Sequence, residues 1–152
     1  MKVNEKIISA FSEVKLGSGR SIRQCVDIDN RVEEDLSECS DFKDYENWQD
    51  IPDEQIETVG THGILYHGGY DGFLFHLAPS MLFVINKYKG FLDPQNAFDV
   101  YMSLLYAIED KDKISLLTIT QRAAVKDFLG YVINKINKPM AEEDVVKLYN
   151  EM

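Results

Sequence analysis

The sequence has no segment long and apolar enough to cross a membrane as a helix. Its longest apolar stretches, 73–77 and 81–85, are far shorter than the roughly 20 residues that a bilayer-spanning helix needs. Residues 1–16 carry five charged side chains and lack the apolar core of a secretory signal. We therefore expect a cytoplasmic protein.

Cysteine is scarce as well, with only Cys25 and Cys39 in 152 residues. Two cysteines alone cannot form a structural zinc site, and their spacing is not that of a redox motif. A reducing compartment also disfavours a disulfide between them. We interpret both residues as buried or half-buried thiols.

Motifs for cofactor chemistry are missing. Residues 17–21 lack the spacing and the lysine of a phosphate-binding loop, and residues 63–72 do not follow the dinucleotide fingerprint. Residues 27–30 are not followed by the glycine and distal glutamate of an EF-hand loop. The sequence therefore predicts no cofactor and no metal. Its basic residues form no cluster that would bind nucleic acid directly.

The apolar pattern predicts a mainly α protein, folded as a single compact domain over residues 1–152. A hydrophobic content of 45% over this length is typical of one globular domain. Apolar residues recur at helical spacing in about seven segments, most clearly in 94–108, 120–136 and 141–149. Between residues 64 and 77 two short apolar stretches flank a glycine-rich turn, which is typical of a short β-hairpin.

The negative charge is concentrated in one segment. The protein has 26 acidic and 16 basic residues, and 13 of the acids lie between Asp27 and Glu57. Because this segment contains only two basic residues, its net charge is −11, while the rest of the chain is +1. Carboxylates this close in sequence repel one another, but together they also attract a cationic partner and raise the rate of association with it. A solvated acidic face without a partner is the alternative.

We expect this segment to form the surface that binds a basic protein. Its helical parts, about 21–29 and 32–39, would turn the acids outward, and aromatic residues would anchor the centre. The predicted partner-binding residues are Asp27, Asp29, Glu33, Glu34, Asp35, Glu38, Asp41, Asp44, Tyr45, Glu46, Trp48 and Tyr70. For Trp48 two interpretations stay open, a core anchor or a binding group.

Three segments resemble an uncharacterised family of short bacterial proteins. They are W-Q-D-I-P at 48–52, G-F-L-F-H-L-A-P-S-M at 72–81 and T-Q-R-A-A-V-K-D-F-L at 120–129. The family usually has an aromatic residue where His76 or Leu77 stands, and a shorter link to the last segment. The resemblance implies a helical scaffold without an assigned activity. It also implies core positions for Trp48, Phe73, Phe75, Pro79 and Phe128.

The overall profile is similar to that of immunity proteins from bacterial toxin–immunity systems, such as contact-dependent growth inhibition. Those proteins are often small, acidic and cytoplasmic, they lack enzymatic motifs, and their toxins are often basic nucleases. The resemblance implies that the acidic surface binds and neutralises a cationic toxin, in particular a ribonuclease. It implies no enzymatic activity for this chain.

Two other functions stay open. An accessory or regulatory domain, including a nucleic-acid mimic that occupies a DNA-binding protein, would use the same charge with a different partner. The other alternative is an enzyme of unrecognised type, with His67, Asp71 and His76 near a glycine-rich loop. In an enzyme, substituting the histidines would abolish turnover and leave folding intact.

Overall fold

The computed structural model describes residues 1–33, 42–90 and 95–152, without the side chains of 30–33 and 95–96. These residues form a compact, mainly α domain, which confirms the predicted fold class. The α-helices are α1 (Val3–Phe11), α2 (Ile22–Glu33), α3 (Asp53–Ile56), α4 (Ile64–His67), α5 (Gly69–Lys87), α6 (Gln95–Ile108), α7 (Lys111–Ser115), α8 (Ile119–Lys135) and α9 (Glu142–Glu151). Two 3-10 helices precede and follow α3, namely η1 (Trp48–Asp50) and η2 (Glu57–Gly60).

Helix α5 is the centre of the fold. Twelve of its 19 residues are buried, as expected for a helix with neighbours on all sides. Helices α1, α4, α6 and α8 pack against it, together with η1 and α3. Pro79 lies inside α5 and lacks the N–H that would bond to the carbonyl of Phe75. No helix in the described ranges is both long and apolar enough to span a bilayer.

The β-hairpin expected between residues 64 and 77 is not formed. Helix α4 and the first part of α5 occupy this segment, with Gly69 at a φ of 75° where they meet. An apolar stretch as short as 73–77 does not distinguish a strand from a buried helix by its period. The stretch continues into buried residues up to Ile85. A helix pairs the backbone polar groups of such a continuous buried segment internally.

Side chains cap the N-terminal ends of two helices in the C-terminal half. The Asp110 carboxylate accepts from the backbone N–H groups of Asp112 and Lys113 at the start of α7. Thr118 and Gln121 form a capping box at the start of α8. These bonds satisfy backbone donors that have no partner inside the helix.

Two stacked tyrosines fix the connection between α8 and α9. The rings of Tyr88 and Tyr101 are buried, with their centroids 4.5 Å apart and their planes at 14°. The Tyr88 hydroxyl accepts from the N–H of Met140 at 3.3 Å. The Tyr101 hydroxyl donates to the carbonyl oxygen of Met140. The backbone of Met140 is therefore bonded through both its donor and its acceptor.

Candidate functional site

The acidic segment predicted as a binding surface lies partly outside the described residues. This holds for Glu34, Asp35, Glu38 and Asp41. Glu33 is the last residue of α2, and its side chain is not described. The remaining predicted acids, which the structure does place, are Asp27, Asp29, Asp44 and Glu46.

Arg23 joins two of the predicted acids. Its guanidinium lies 3.1 Å from the Asp27 carboxylate and 2.9 Å from the Asp44 carboxylate. The Ser21 hydroxyl also donates to Asp44, at 2.6 Å. The hydrogen bond from Arg23 is the main cause that holds the pKa of Asp44 below its usual value. This part of the segment is thus an internal charge network as well as an acidic surface.

Asp29 is engaged inside the molecule too. Its carboxylate lies 3.0 Å from Nδ1 of His62, whose side chain is only 11% exposed. This contact joins α2 to the residues that follow η2. Asp29 therefore contributes to the packing of the acidic region, and less of its charge is directed to solvent.

A second group of acids is more exposed. Residues 46–57 contain five acids and no basic residue, and we name these five the acidic platform: Glu46, Asp50, Asp53, Glu54 and Glu57. All are exposed except Glu57, which is half-buried. Within the described part of the chain, the one ion pair of the platform joins Asp53 to Lys87 at 3.8 Å. The platform therefore presents most of its charge to solvent.

Buried side chains hold the platform in place. The indole Nε1 of Trp48 donates to the carbonyl oxygen of Phe11 at 2.8 Å, and Trp48 is only 3% exposed. The side-chain amide of Gln55 accepts from the N–H of Lys43 and donates to its carbonyl, both at 3.1 Å. Ile56 is buried beside Gln55. A backbone held in this way presents its carboxylates to a partner with little loss of backbone conformational entropy.

Positive charge lies at the other end of α1. The platform meets α1 at its C-terminal end, through the bond between Trp48 and Phe11. At the N-terminal end, Lys2, Lys6 and Lys135 line an open groove of about 580 Å³. The one acid of that groove, Asp127, pairs with Lys6 at 2.8 Å. Lysines thus line the groove at one end of α1. The acids of the platform lie at the other end, where the ammonium of Lys15 donates to the side-chain oxygen of Asn47.

The aromatic residues predicted as anchors are not freely exposed. Trp48 is buried, which supports its interpretation as a core anchor and removes its ring from the binding surface. Tyr45 and Tyr70 are half-buried. The ring of Tyr70 packs against Phe73, with the centroids 6.2 Å apart. The other core positions implied by the resemblance, Phe73, Phe75, Pro79 and Phe128, are buried.

Two exposed tyrosines were not singled out in the sequence. Tyr66 is 40% exposed and Tyr106 is 57% exposed. Partial burial is the main cause that raises the pKa of Tyr66 to about 12, and the charges of Glu109 and Tyr106 add to it. Tyr106 is exposed between two buried residues of α6, Leu105 and Ala107. An aromatic residue on the polar face of a predicted helix is the sequence feature that could have indicated a binding role. Tyr66 gave no such signal, because a hairpin was expected there.

The three residues considered for catalysis are not joined to one another. His76 is buried, and its Nδ1–H donates to the carbonyl of Gly72 at 2.7 Å. Burial lowers the pKa of His76 to about 4, so the ring is neutral at neutral pH. The Asp71 carboxylate accepts from the N–H and hydroxyl of Ser18, at 3.2 and 2.9 Å. His67 is exposed at the end of α4.

Sequence comparison assigns the chain to a family. The model of a family of unknown function, DUF6714, matches residues 1–149. The chain belongs to the DUF6714 family. No curated protein and no solved structure matches the sequence.

The described residues of this DUF6714 protein include no grouping of three histidine, cysteine, aspartate or glutamate side chains that could hold a metal ion. Cys25 is a buried free thiol. Burial raises its pKa, which disfavours the reactive thiolate. Cys39 lies outside the described residues.

Proposed function

We propose that this protein is an immunity protein that binds a cationic toxin, a nuclease of the ribonuclease type, and neutralises it through the acidic platform. One observation carries the proposal: five carboxylates within twelve residues, with no base among them, lie on a backbone that Trp48 and Gln55 anchor to the core. A nuclease directs lysine and arginine side chains toward phosphates. Carboxylates accept hydrogen bonds from the same groups.

The charge distribution favours rapid association with such a partner. Opposite fields steer two proteins together, and they raise association rates by a factor of about 10 to 1,000 at low salt. Close charge pairs at protein interfaces couple by roughly 1.5–7 kcal/mol. Because the Trp48 and Gln55 contacts already order the backbone of the platform, binding loses little backbone conformational entropy.

Co-expression tests this function. Each reading frame that neighbours the gene is expressed in a bacterial host with and without the protein. We expect one of them to encode a basic toxin domain whose growth inhibition this protein relieves.

The purified pair should associate more slowly as salt rises, because the ions screen the steering field. Tight binding that does not depend on salt would count against the acidic mechanism. If the protein instead binds specifically to a DNA-binding protein, and no neighbouring toxin is neutralised, the result would favour a nucleic-acid mimic.

Two matched triple variants separate the platform from the net charge. Each removes three exposed carboxylates. The platform variant carries Glu46→Gln, Asp50→Asn and Glu54→Gln, and the control carries Glu142→Gln, Asp112→Asn and Glu143→Gln. We expect the platform variant to slow association with the toxin about tenfold at low salt, while the control stays near wild type. Equal slowing by both triples would show that net charge alone matters, and the platform would lose its role.

A further inference from the structure

An exposed aromatic surface lies close to the acidic platform. Glu57, the last acid of the platform, begins η2, and η2 ends at Gly60. The carbonyl of Gly60 lies 3.5 Å from the hydroxyl of Ser103 on α6. The carbonyl of Ser103 in turn accepts the hydroxyl of Tyr66 at 3.3 Å. A short series of contacts therefore leads from the platform to Tyr66 and, one turn along α6 from Ser103, to Tyr106.

Lys113 supports the ring of Tyr66 from the core side. Its Nζ lies 5.5 Å from the centroid of Tyr66 and 5.4 Å from that of the buried Phe73 ring. The same ammonium donates to the carbonyl of Leu65 at 3.1 Å. These contacts and the bond to Ser103 fix the orientation of the exposed ring. A fixed aromatic side chain loses little entropy when a partner covers it.

Glu109 places a carboxylate beside these phenols. It is exposed, and no ion pair engages it among the residues that the structure places. Its N–H donates to the carbonyl of Leu105 at 3.1 Å, so Glu109 continues the last turn of α6 and lies one turn after Tyr106. Tyr106 in turn lies one turn after Ser103, to which the Tyr66 hydroxyl is bonded. The charge of Glu109 also contributes to the raised pKa of Tyr66. A guanidinium can stack on an aromatic ring while its N–H groups donate to a carboxylate. Lysine lacks the planar group that makes both contacts at once.

We propose that Tyr66, Tyr106 and Glu109 form an arginine-binding centre for the cationic partner. The identity of that partner rests on the proposed function, but the binding of arginine does not. The ammonium of Lys113 pairs with Asp110 at 4.0 Å, so the exposed carboxylate of Glu109 gives this aromatic surface a negative charge that is complementary to a basic protein. In this arrangement the platform steers the encounter, and the tyrosines, rather than Tyr45, Trp48 or Tyr70, supply the central contacts.

A peptide titration tests the centre without any toxin. The full-length protein is titrated with a short arginine-containing peptide, and with the same peptide carrying lysine or citrulline instead, while the tyrosine ring signals are followed by NMR. Citrulline keeps the shape of arginine without its charge. We expect the Tyr66 and Tyr106 signals to shift with arginine, less with lysine and not with citrulline. Tyr149, whose ring Lys126 covers at 4.9 Å, is the internal control.

Variants then identify the groups that bind. We expect Tyr106→Ala and Glu109→Gln each to weaken binding of the arginine peptide about two- to fivefold, because each removes one exposed contact to the cation. Tyr106→Phe keeps the ring and should bind nearly as wild type. The platform triple should weaken the arginine and lysine peptides to the same degree and leave the preference for arginine.

The outcomes distinguish this inference from the proposed function. If arginine and lysine peptides bind equally and Tyr106→Ala changes nothing, the arginine-binding centre is wrong, whatever the platform does. If the preference for arginine and the Tyr106→Ala effect are both present, the centre is supported. It stays supported even if no neighbouring toxin is neutralised, a result that would overturn the immunity function alone.

Discussion

Gly19 packs directly against the backbone of Gly72, where the connection between α1 and α2 crosses the start of α5. A Cβ atom on Gly19 would lie 2.4 Å from the backbone nitrogen of Gly72. The neighbouring residues, Ser18 and Asp71, are joined by two hydrogen bonds. The connection is therefore held against α5 by backbone contact, and it has no room for a side chain.

Gly19→Ala should destabilise the protein by about 2–3 kcal/mol, because the new methyl group meets backbone atoms that cannot rotate away. Gly69→Ala is the comparison. A Cβ there meets nothing within 4 Å, so only the φ of 75° is strained, at a cost of about 1 kcal/mol. Urea unfolding measures both. If Gly19→Ala lowers the free energy of unfolding no more than Gly69→Ala does, the result would contradict the close approach to Gly72.

His76 should make the protein less stable in mild acid. Burial lowers the pKa of its ring to about 4 in the folded protein, against about 6.5 in the unfolded chain. Between these values the unfolded chain binds a proton that the folded chain does not, so the free energy of unfolding falls as the pH drops. This group should remove about 2 kcal/mol between about pH 7 and about pH 5.

The matched variants for this effect are His76→Leu and His67→Gln. The first removes the buried ring, and with it the stability change between the two pH values. The second removes an exposed ring and should leave that change in place. Unfolding by urea at both pH values gives the difference directly. An unaltered pH dependence in His76→Leu would assign the effect to another group.

Arg23→Gln should raise the pKa of Asp44 toward its usual value, since the bond from Arg23 is the main cause of the lowering. A carbon-13 NMR titration of the Asp44 carboxyl group measures this. Because both side chains are at least a third exposed, stability at neutral pH should fall by at most about 1 kcal/mol. A carboxylate with a lowered pKa stabilises the fold above its unfolded pKa. The difference between the proteins should therefore disappear in strong acid.

Lys43→Gln is the control for Arg23→Gln, because it removes one positive charge close to Asp44 in the sequence. Lys43 bonds to Gln55 through its backbone, and that contact survives the substitution. The pKa of Asp44 should stay low in this variant. If it rises as much as in Arg23→Gln, the general field and not the specific hydrogen bond sets the pKa.

Trp48→Phe should cost about 1–2 kcal/mol of stability through the lost hydrogen bond and the smaller ring. The carbonyl of Phe11 keeps a second donor, the N–H of Val14 at 3.0 Å, so the loss stays moderate. Tyr106→Phe, at an exposed ring, should change stability by less than about 0.5 kcal/mol. Trp48 is the one tryptophan of the sequence, so its fluorescence reports its surroundings. Emission typical of a water-exposed indole in the folded protein would contradict the core position.

The helices of the C-terminal half could be predicted from the sequence, because each buries one stripe of apolar residues. The segments 94–108, 120–136 and 141–149 overlap α6, α8 and α9 within a few residues. The segment 64–77 could not be predicted in the same way. Helix α5 is apolar on every side, so the sequence has no period there, and its glycines are as typical of a hairpin as of a junction between two helices.

The candidate site could be predicted only in its charge. The crowding of acids is visible in the sequence, but the internal pairing of Asp44 with Arg23 spans 21 positions and depends on tertiary structure. The proximity of Tyr66 to Ser103 spans 37 positions and depends on how α4 packs beside α6. No local pattern records such contacts. Exposure of a single aromatic residue on a helix is also common and carries little signal in a sequence.

The paired tyrosines at Met140 determine how the start of α9 behaves. Tyr88 follows α5 and Tyr101 lies within α6, so the residues that lead into α9 are attached to the middle of the domain, while α9 itself packs against α8. If the residues that lead into α9 moved away from the domain, the two buried tyrosine hydroxyls and the backbone of Met140 would all lose their hydrogen bonds. The start of the last helix should therefore exchange its amide hydrogens only in large openings of the domain that also free the two tyrosines.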